Sequence, residues 1–206
     1  MMNKLIYLNI LIFLCISCSK NSVSEVKITD EDGNVLEIYF MDLEKKQKEG
    51  QYKSFYTSGK LSNQANYVSD SLDGERRWFY ENGQVEAVET FNMDAYEGPY
   101  LSYFEDGTLR QKGQYVDNKA SGVWTLYYES GNVKETVTFE NNVENGPFEE
   151  FNEAGVLTAK GEYLNGDNEH GLLAIYNDEG TLIKKMQCDQ GICHTTWSIE
   201  DEKTNG

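Results

Sequence analysis

The sequence predicts an all-β fold made of tandem antiparallel β-hairpin repeats that join into one elongated twisted sheet. Three observations predict it. Glycines recur at Gly50, Gly74, Gly98, Gly122, Gly146 and Gly171, spaced by 24, 24, 24, 24 and 25 residues. A second glycine follows nine residues after each, at Gly59, Gly83, Gly107, Gly131, Gly155 and Gly180. The chain also carries 14 Tyr, 9 Phe and 18 Gly but only 2 Pro, a composition suited to short pleated strands joined by tight turns.

The elements follow from the period, counted with the first glycine of each repeat as position 0. Position 5 is aromatic throughout: Phe55, Phe79, Tyr103, Tyr127, Phe151 and Tyr176. Position 11 is Leu or Val, as in Leu61, Val85 and Val133. Position 17 is aromatic at Tyr67, Phe91, Tyr115, Phe139 and Tyr163, and Cys188 takes that place in the last repeat. A first strand such as Trp124–Tyr128 leads into a turn ending in glycine, as in Glu129-Ser130-Gly131. That turn suits a type I geometry followed by a left-handed residue. A second strand spans positions 10 to 17, and a polar stretch such as Val116–Ser121 returns to the next glycine. Six repeats are expected over residues 50–187, a partial capping repeat over 29–49 and a C-terminal cap and tail over 188–206. The only stretch with a helical look is Met41 to Glu49.

With a three-residue turn, position 5 pairs across the hairpin with position 11. Alternation then places positions 5, 11, 15 and 17 on one apolar side. Positions 2 and 6 fall on the other, giving an aromatic row that includes Tyr56, Tyr80, Tyr100, Phe104, Trp124 and Tyr128. Its expected cross-strand neighbours are mostly polar, such as Lys60, Glu86 and Lys134. Tyr and Trp are frequent interface anchors, so this row is the candidate partner-binding face. A β-bulge would exchange some of these assignments.

The N-terminus reads as an export address. A basic start at Lys4 precedes the apolar run Leu5–Ile16, too short to span a bilayer as a helix. The run ends in Leu14-Cys15-Ile16-Ser17-Cys18, which resembles a bacterial lipobox. Residues 1–17 are thus expected to be a signal peptide, with Cys18 lipidated and residues 18–28 forming the lipidated end and a tether. Ser19 rather than Asp after Cys18 favours the outer over the inner membrane. Beyond residue 17 the chain holds 17 basic and 35 acidic residues, a net of −18. Such a surface repels nucleic acid and anionic headgroups and attracts a basic partner.

Repeats such as Gly74-Glu-Arg-Arg-Trp-Phe-Tyr-Glu-Asn-Gly-Gln-Val and Gly122-Val-Trp-Thr-Leu-Tyr-Tyr-Glu-Ser-Gly-Asn-Val resemble the MORN-repeat variant, a family that includes YwqK-type antitoxins. The resemblance covers residues 50 to about 187 and implies stacked antiparallel hairpins. It further implies a protein- or membrane-contact role, or neutralisation of a toxin.

No nucleophile elbow, zinc-protease or phosphate-loop pattern occurs, and neither a cofactor nor a metal is expected. His170 sits before Gly171 in what reads as a solvated loop. Asp30-Glu-Asp32-Gly33-Asn34 lacks the ligand spacing of a calcium loop and reads as a plain turn. Cys188 and Cys193 are the cysteines left after processing; in an oxidising compartment they suit a disulfide, with a Cys188, Cys193, His194 metal site as the rival. The reading is therefore a lipid-anchored envelope protein that binds a protein partner and is not an enzyme. An immunity protein against a delivered toxin, an envelope hydrolase and a structural envelope protein are the alternatives. Lipidation is directly testable: Cys18→Ala should abolish fatty-acid labelling and release the chain from the membrane fraction, and unchanged labelling would refute Cys18 as the acceptor.

Overall fold

A computed structural model describes residues 23–200. The chain divides into two compact bodies, one running to Gly98 and including Glu105–Gly107, the other comprising Pro99–Phe104 and Thr108 onward. The first body carries β1 (Val23–Thr29), β2 (Val35–Asp42), β3 (Gln47–Phe55), β4 (Leu61–Val68), β5 (Ser71–Leu72), β6 (Gly74–Phe79), β7 (Val85–Asn92) and β8 (Ala95–Tyr96). The second carries β9 (Gly98–Tyr103), β10 (Leu109–Val116), β11 (Lys119–Tyr127), β12 (Val133–Glu140) and β13 (Val143–Phe151). It continues through β14 (Leu157–Tyr163), β15 (Glu169–Tyr176), β16 (Leu182–Asp189) and β17 (Ile192–Ser198). Within each body the hairpin strands pair antiparallel with their neighbours in the chain, and β5 and β6 both pair with β4. The fold is all-β, built from tandem hairpins as the period requires.

The hairpin turn follows its sequence. In Tyr80–Gly83 the Tyr80 N–H donates to Gln84 O at 2.9 Å and the Gly83 N–H to Tyr80 O at 2.9 Å, with Gly83 at φ 90°. The expected pairing of positions 5 and 11 holds, as in Phe79 opposite Val85 and Tyr127 opposite Val133. The same turn opens the chain. Asp30 N–H donates to Asn34 O, and Asp30 Oδ1 accepts the N–H groups of Asp32 and Asn34. The side-chain hydrogen bond from Asn34 is the main reason that the Asp30 carboxyl lies below its ordinary pKa. The segment expected as a half repeat is thus a full hairpin, and β1 begins inside the segment read as a tether. The stretch from Met41 to Glu49 is strand, turn and strand, because Asp42 Oδ1 accepts the N–H groups of Glu44 and Lys45 and closes a turn there. Cys18 and the signal segment lie outside the described residues.

The polar return stretches, expected as loops, are tight two-residue turns. Met93–Asp94 and Asn141–Asn142 have φ of 48° and 68°, and 56° and 71°, as a type I′ turn demands. Asp and Asn at the second place do a further job. Asp94 N–H donates to Leu72 O at 2.8 Å while Leu72 N–H donates to Asp94 Oδ1 at 2.7 Å. Asn142 and Ala120 exchange the same two bonds at 3.1 and 2.6 Å, and Asp70 and Lys48 at 3.0 and 2.6 Å. Each tip is stitched to the tip one repeat earlier, and those backbone groups need no water.

The glycine at position 0 is a bulge. Between β10 and β11 the register steps from Lys112 opposite Thr125 to Gln114 opposite Ser121, so Gly113 alone faces Gly122, Val123 and Trp124. Gly122 takes φ 69°, which side chains rarely adopt. The slack swings the Trp124 ring over Gly113, where an added Cβ would lie 2.1 Å from the ring. Gly113→Ala should therefore destabilise by about 1–3 kcal/mol or more through overpacking. In urea titrations of Gly113→Ala, Trp124→Leu and the double variant, the double should cost clearly less than the sum; strict additivity would refute the contact.

Candidate binding surfaces

A second bulge, inside each hairpin, reverses part of the predicted face assignment: the register shifts between positions 4 and 5, as at Leu126/Tyr127, so Trp124 faces Val137 on the apolar side. Trp124 is 4% exposed and Phe148 is 3% exposed, both at position 2, and they pack with Val137, Leu173 and Cys188 in the core of the second body. The Trp124 ring meets Tyr115 and Phe139 of position 17 at 5.1 and 6.0 Å, and Tyr100 at 5.5 Å. Phe148 stacks on Tyr163 at 4.1 Å. Positions 2, 15 and 17 thus form the core. Trp124 and Tyr100 therefore leave the candidate docking row: Trp124 is buried and Tyr100 packs against the same cluster. Alternation carried through an unbroken ladder sent them to the wrong side.

Tyr56, Tyr80, Phe104 and Tyr128, at position 6, open the glycine turns and are half-buried. Their first task is bracing. Tyr56 Oη donates to Phe79 O at 2.5 Å and Tyr128 Oη to Phe151 O at 2.8 Å, each reaching the next hairpin. Lys60 Nζ, Asn82 Nδ2 and Asn132 Nδ2 make the parallel reach to Glu81 O, Glu105 O and Glu153 O at 2.6–2.8 Å. Asn152 and Asn177 replace the aromatic in the last two repeats and fold back, their Oδ1 atoms accepting N–H groups of their own turns. The fading of the aromatic row is thus an exchange of one turn brace for another.

Charged groups inside the array occupy places the pattern assigns to apolar side chains. In the repeat of Gly74, position 2 is Arg76 and position 15 is Glu89, directly opposite one another. Glu89 accepts Arg76 Nε at 2.7 Å, Trp78 Nε1 at 2.9 Å and Tyr96 Oη at 3.0 Å. The Arg76 guanidinium lies 5.0 and 4.7 Å from the rings of Trp78 and Phe91. A partly buried guanidinium that is paired and stacked replaces the apolar plug. The exchange was visible in the sequence as a simultaneous switch at positions 2 and 15. Nearby, Lys48 Nζ sits 4.8–5.0 Å from the rings of Tyr39, Tyr52 and Tyr67. Burial, then the charge of Glu37, pushes the Tyr52 hydroxyl up to about 12.

In the second body Glu135 and Glu150 face one another across β12 and β13. Partial burial, then the charge of Glu150, raises the Glu135 carboxyl above its ordinary value. Burial followed by Glu150 and Glu135 pushes Tyr163 up to about 12. Cys188 and Cys193 are joined by a disulfide with Cα atoms 4.0 Å apart across β16 and β17, and Cys188 closes the end of the core. His170 lies on β15 rather than in a loop, because a strand pairs it with Glu162; its Nδ1 is 3.4 Å from Asp189 Oδ1. Among the described residues no three His, Cys, Asp or Glu side chains are placed to hold a metal ion.

Stacked glycine-turn hairpins on this period have a counterpart among known families. Residues 48–69, 72–93, 96–117 and 120–141 match the MORN repeat variant. Four tandem segments of the chain are thus similar to MORN-type repeats, and the same bulge, turn and pairing continue past them through β13 to β16. No curated protein matches the chain. Among solved structures it is similar to a porin-like protein from Bacteroides uniformis, at 9% identity over 87% of this chain and 90% of that one, with a TM-score of 0.22.

The pair of facing carboxylates gives a signed prediction. A carboxyl whose folded pKa is raised above its unfolded value weakens the fold when ionised, so its cost is full above the folded pKa, shrinks as the pH falls through it and is gone below the unfolded pKa. Glu135→Gln should raise the thermal midpoint at pH 7, and the gain should vanish as the pH falls through the carboxylate range. A midpoint lowered at pH 7 would show that Glu135 holds the strands together as an anion.

Proposed function

We propose that this chain is a lipid-anchored envelope protein whose repeat array is a protein-binding module. The observation that carries the reading is charge displayed on a braced ladder. Residues 135–183 hold eleven carboxylates and one amine, Lys160, on hairpins tied tip to tip by hydrogen bonds. A braced surface loses little entropy on binding, and its charge draws a basic partner while repelling nucleic acid and anionic lipid. The turn residues Tyr56, Tyr80, Phe104 and Tyr128 offer such a partner the exposed parts of their rings. Chemical crosslinking in cells, with the anchored chain as bait, tests the reading. A basic protein should be recovered, and its binding to the purified chain should fall several-fold between about 50 and 200 mM salt. A secreted toxin as that protein would make the chain an immunity protein. If no protein is crosslinked and the purified chain instead sediments with phospholipid vesicles, the array is a membrane-contact module and the reading fails.

A further inference from the structure

On the face of the second body opposite the aromatic core, apolar side chains stand in solvent at repeat spacing. Val123 and Leu172 are 60% and 57% exposed, and each follows a repeat glycine by one residue. Pro147 holds that position in the repeat between them and is exposed as well. Proline has a backbone reason to sit at a bulge, where no ladder bond needs its N–H; Val123 and Leu172 have none. In the first body the same position carries Gln51 and Glu75, ordinary residues for a solvated site.

Register lines these side chains up. Val123 faces Thr138, Pro147 faces Glu162 and Leu172 faces Gln187. The apolar rungs are thus two strands apart, about 10 Å. Thr136 and Ala174 help to floor the depression between them, about 410 Å³ in volume, and Glu149, Lys160 and Glu162 rim it.

We propose that this ladder is the docking surface for a cationic amphipathic helix of a partner protein, a proposal that rests on the protein-binding reading above. Side chains one heptad apart on a helix are about 10.5 Å apart, in step with the rungs. Same-face residues of an extended strand recur about every 6.7 Å and fall out of step. The exposed carboxylates of Glu149 and Glu162 select a basic helix. A second copy of this chain, at net −17, is repelled from the same surface.

The test uses the full anchored chain in detergent and a synthetic Lys/Leu helical peptide with leucines at heptad spacing, followed by fluorescence anisotropy. Val123→Ser with Leu172→Ser should weaken binding roughly tenfold, as expected for central apolar anchors, and leave the thermal midpoint unchanged. Glu149→Gln with Glu162→Gln should weaken it less and flatten its salt dependence. Equal binding by the serine variant, or equally tight binding of a Lys/Ser peptide, overturns the proposal. If the serine variant melts early, Val123→Lys with Leu172→Lys keeps long stems on the surface and should repel the peptide; unchanged binding by that variant also overturns it. The crosslinked protein described above should be lost from the same variants. Its persistence there moves the contact elsewhere on the array and leaves the protein-binding reading intact, whereas its absence from the wild type removes both.

Discussion

A tryptophan or phenylalanine two residues after a repeat glycine has nowhere to go in an unbroken ladder except toward water. A one-residue register shift between positions 4 and 5 of the hairpin turns it inward, and the bulge at the glycine seats it. One residue on the earlier strand faces three on the later one, and the extra backbone lets the ring lie over the strand before it. Gly113 under Trp124 and Gly161 against Leu173 show the same arrangement twice. The core of the second body is the set of rings so placed, interleaved with the rings of position 17 and closed by Cys188.

The hydrogen-bond stitching answers a different need. A hairpin repeat leaves both of its ends exposed, and unpaired backbone groups at those ends are costly where water is excluded. The type I′ tips use an Asp or Asn to exchange two bonds with the previous tip. The glycine turns use a long polar side chain or a tyrosine hydroxyl to reach the next turn. These bonds act between repeats, so they propagate order along the array in the way expected of nearest-neighbour coupling. They also explain why polar residues are numerous in a fold with a thin core.

The same logic separates bracing from recognition. A side chain that recurs at a fixed position and makes an internal contact is explained by the fold, as Tyr56 and Tyr128 are. The buried Arg76–Glu89 pair is explained too, because its partners satisfy both charges. What the fold does not explain is apolar surface in water at repeat spacing and carboxylates crowded on one body. Those two features point outward, toward a partner.

The chain's own sequence determined the period, the glycine turns, the pairing of positions 5 and 11 and the closeness of Cys188 to Cys193. All of these are local, since each depends on residues within one hairpin. It did not determine which side of the sheet Tyr100 and Trp124 take, nor that Asp94 and Asn142 hold the preceding tips. A strand alternates sides at every residue, so a bulge reverses every assignment beyond it. The shift that matters here is the single residue between Leu126 and Tyr127, and the ring it turns inward is held by contacts with neighbouring hairpins, as Trp124 is by Tyr100 and Tyr115. Those contacts exist only once neighbouring hairpins have stacked, and that is why tertiary structure alone decided the faces.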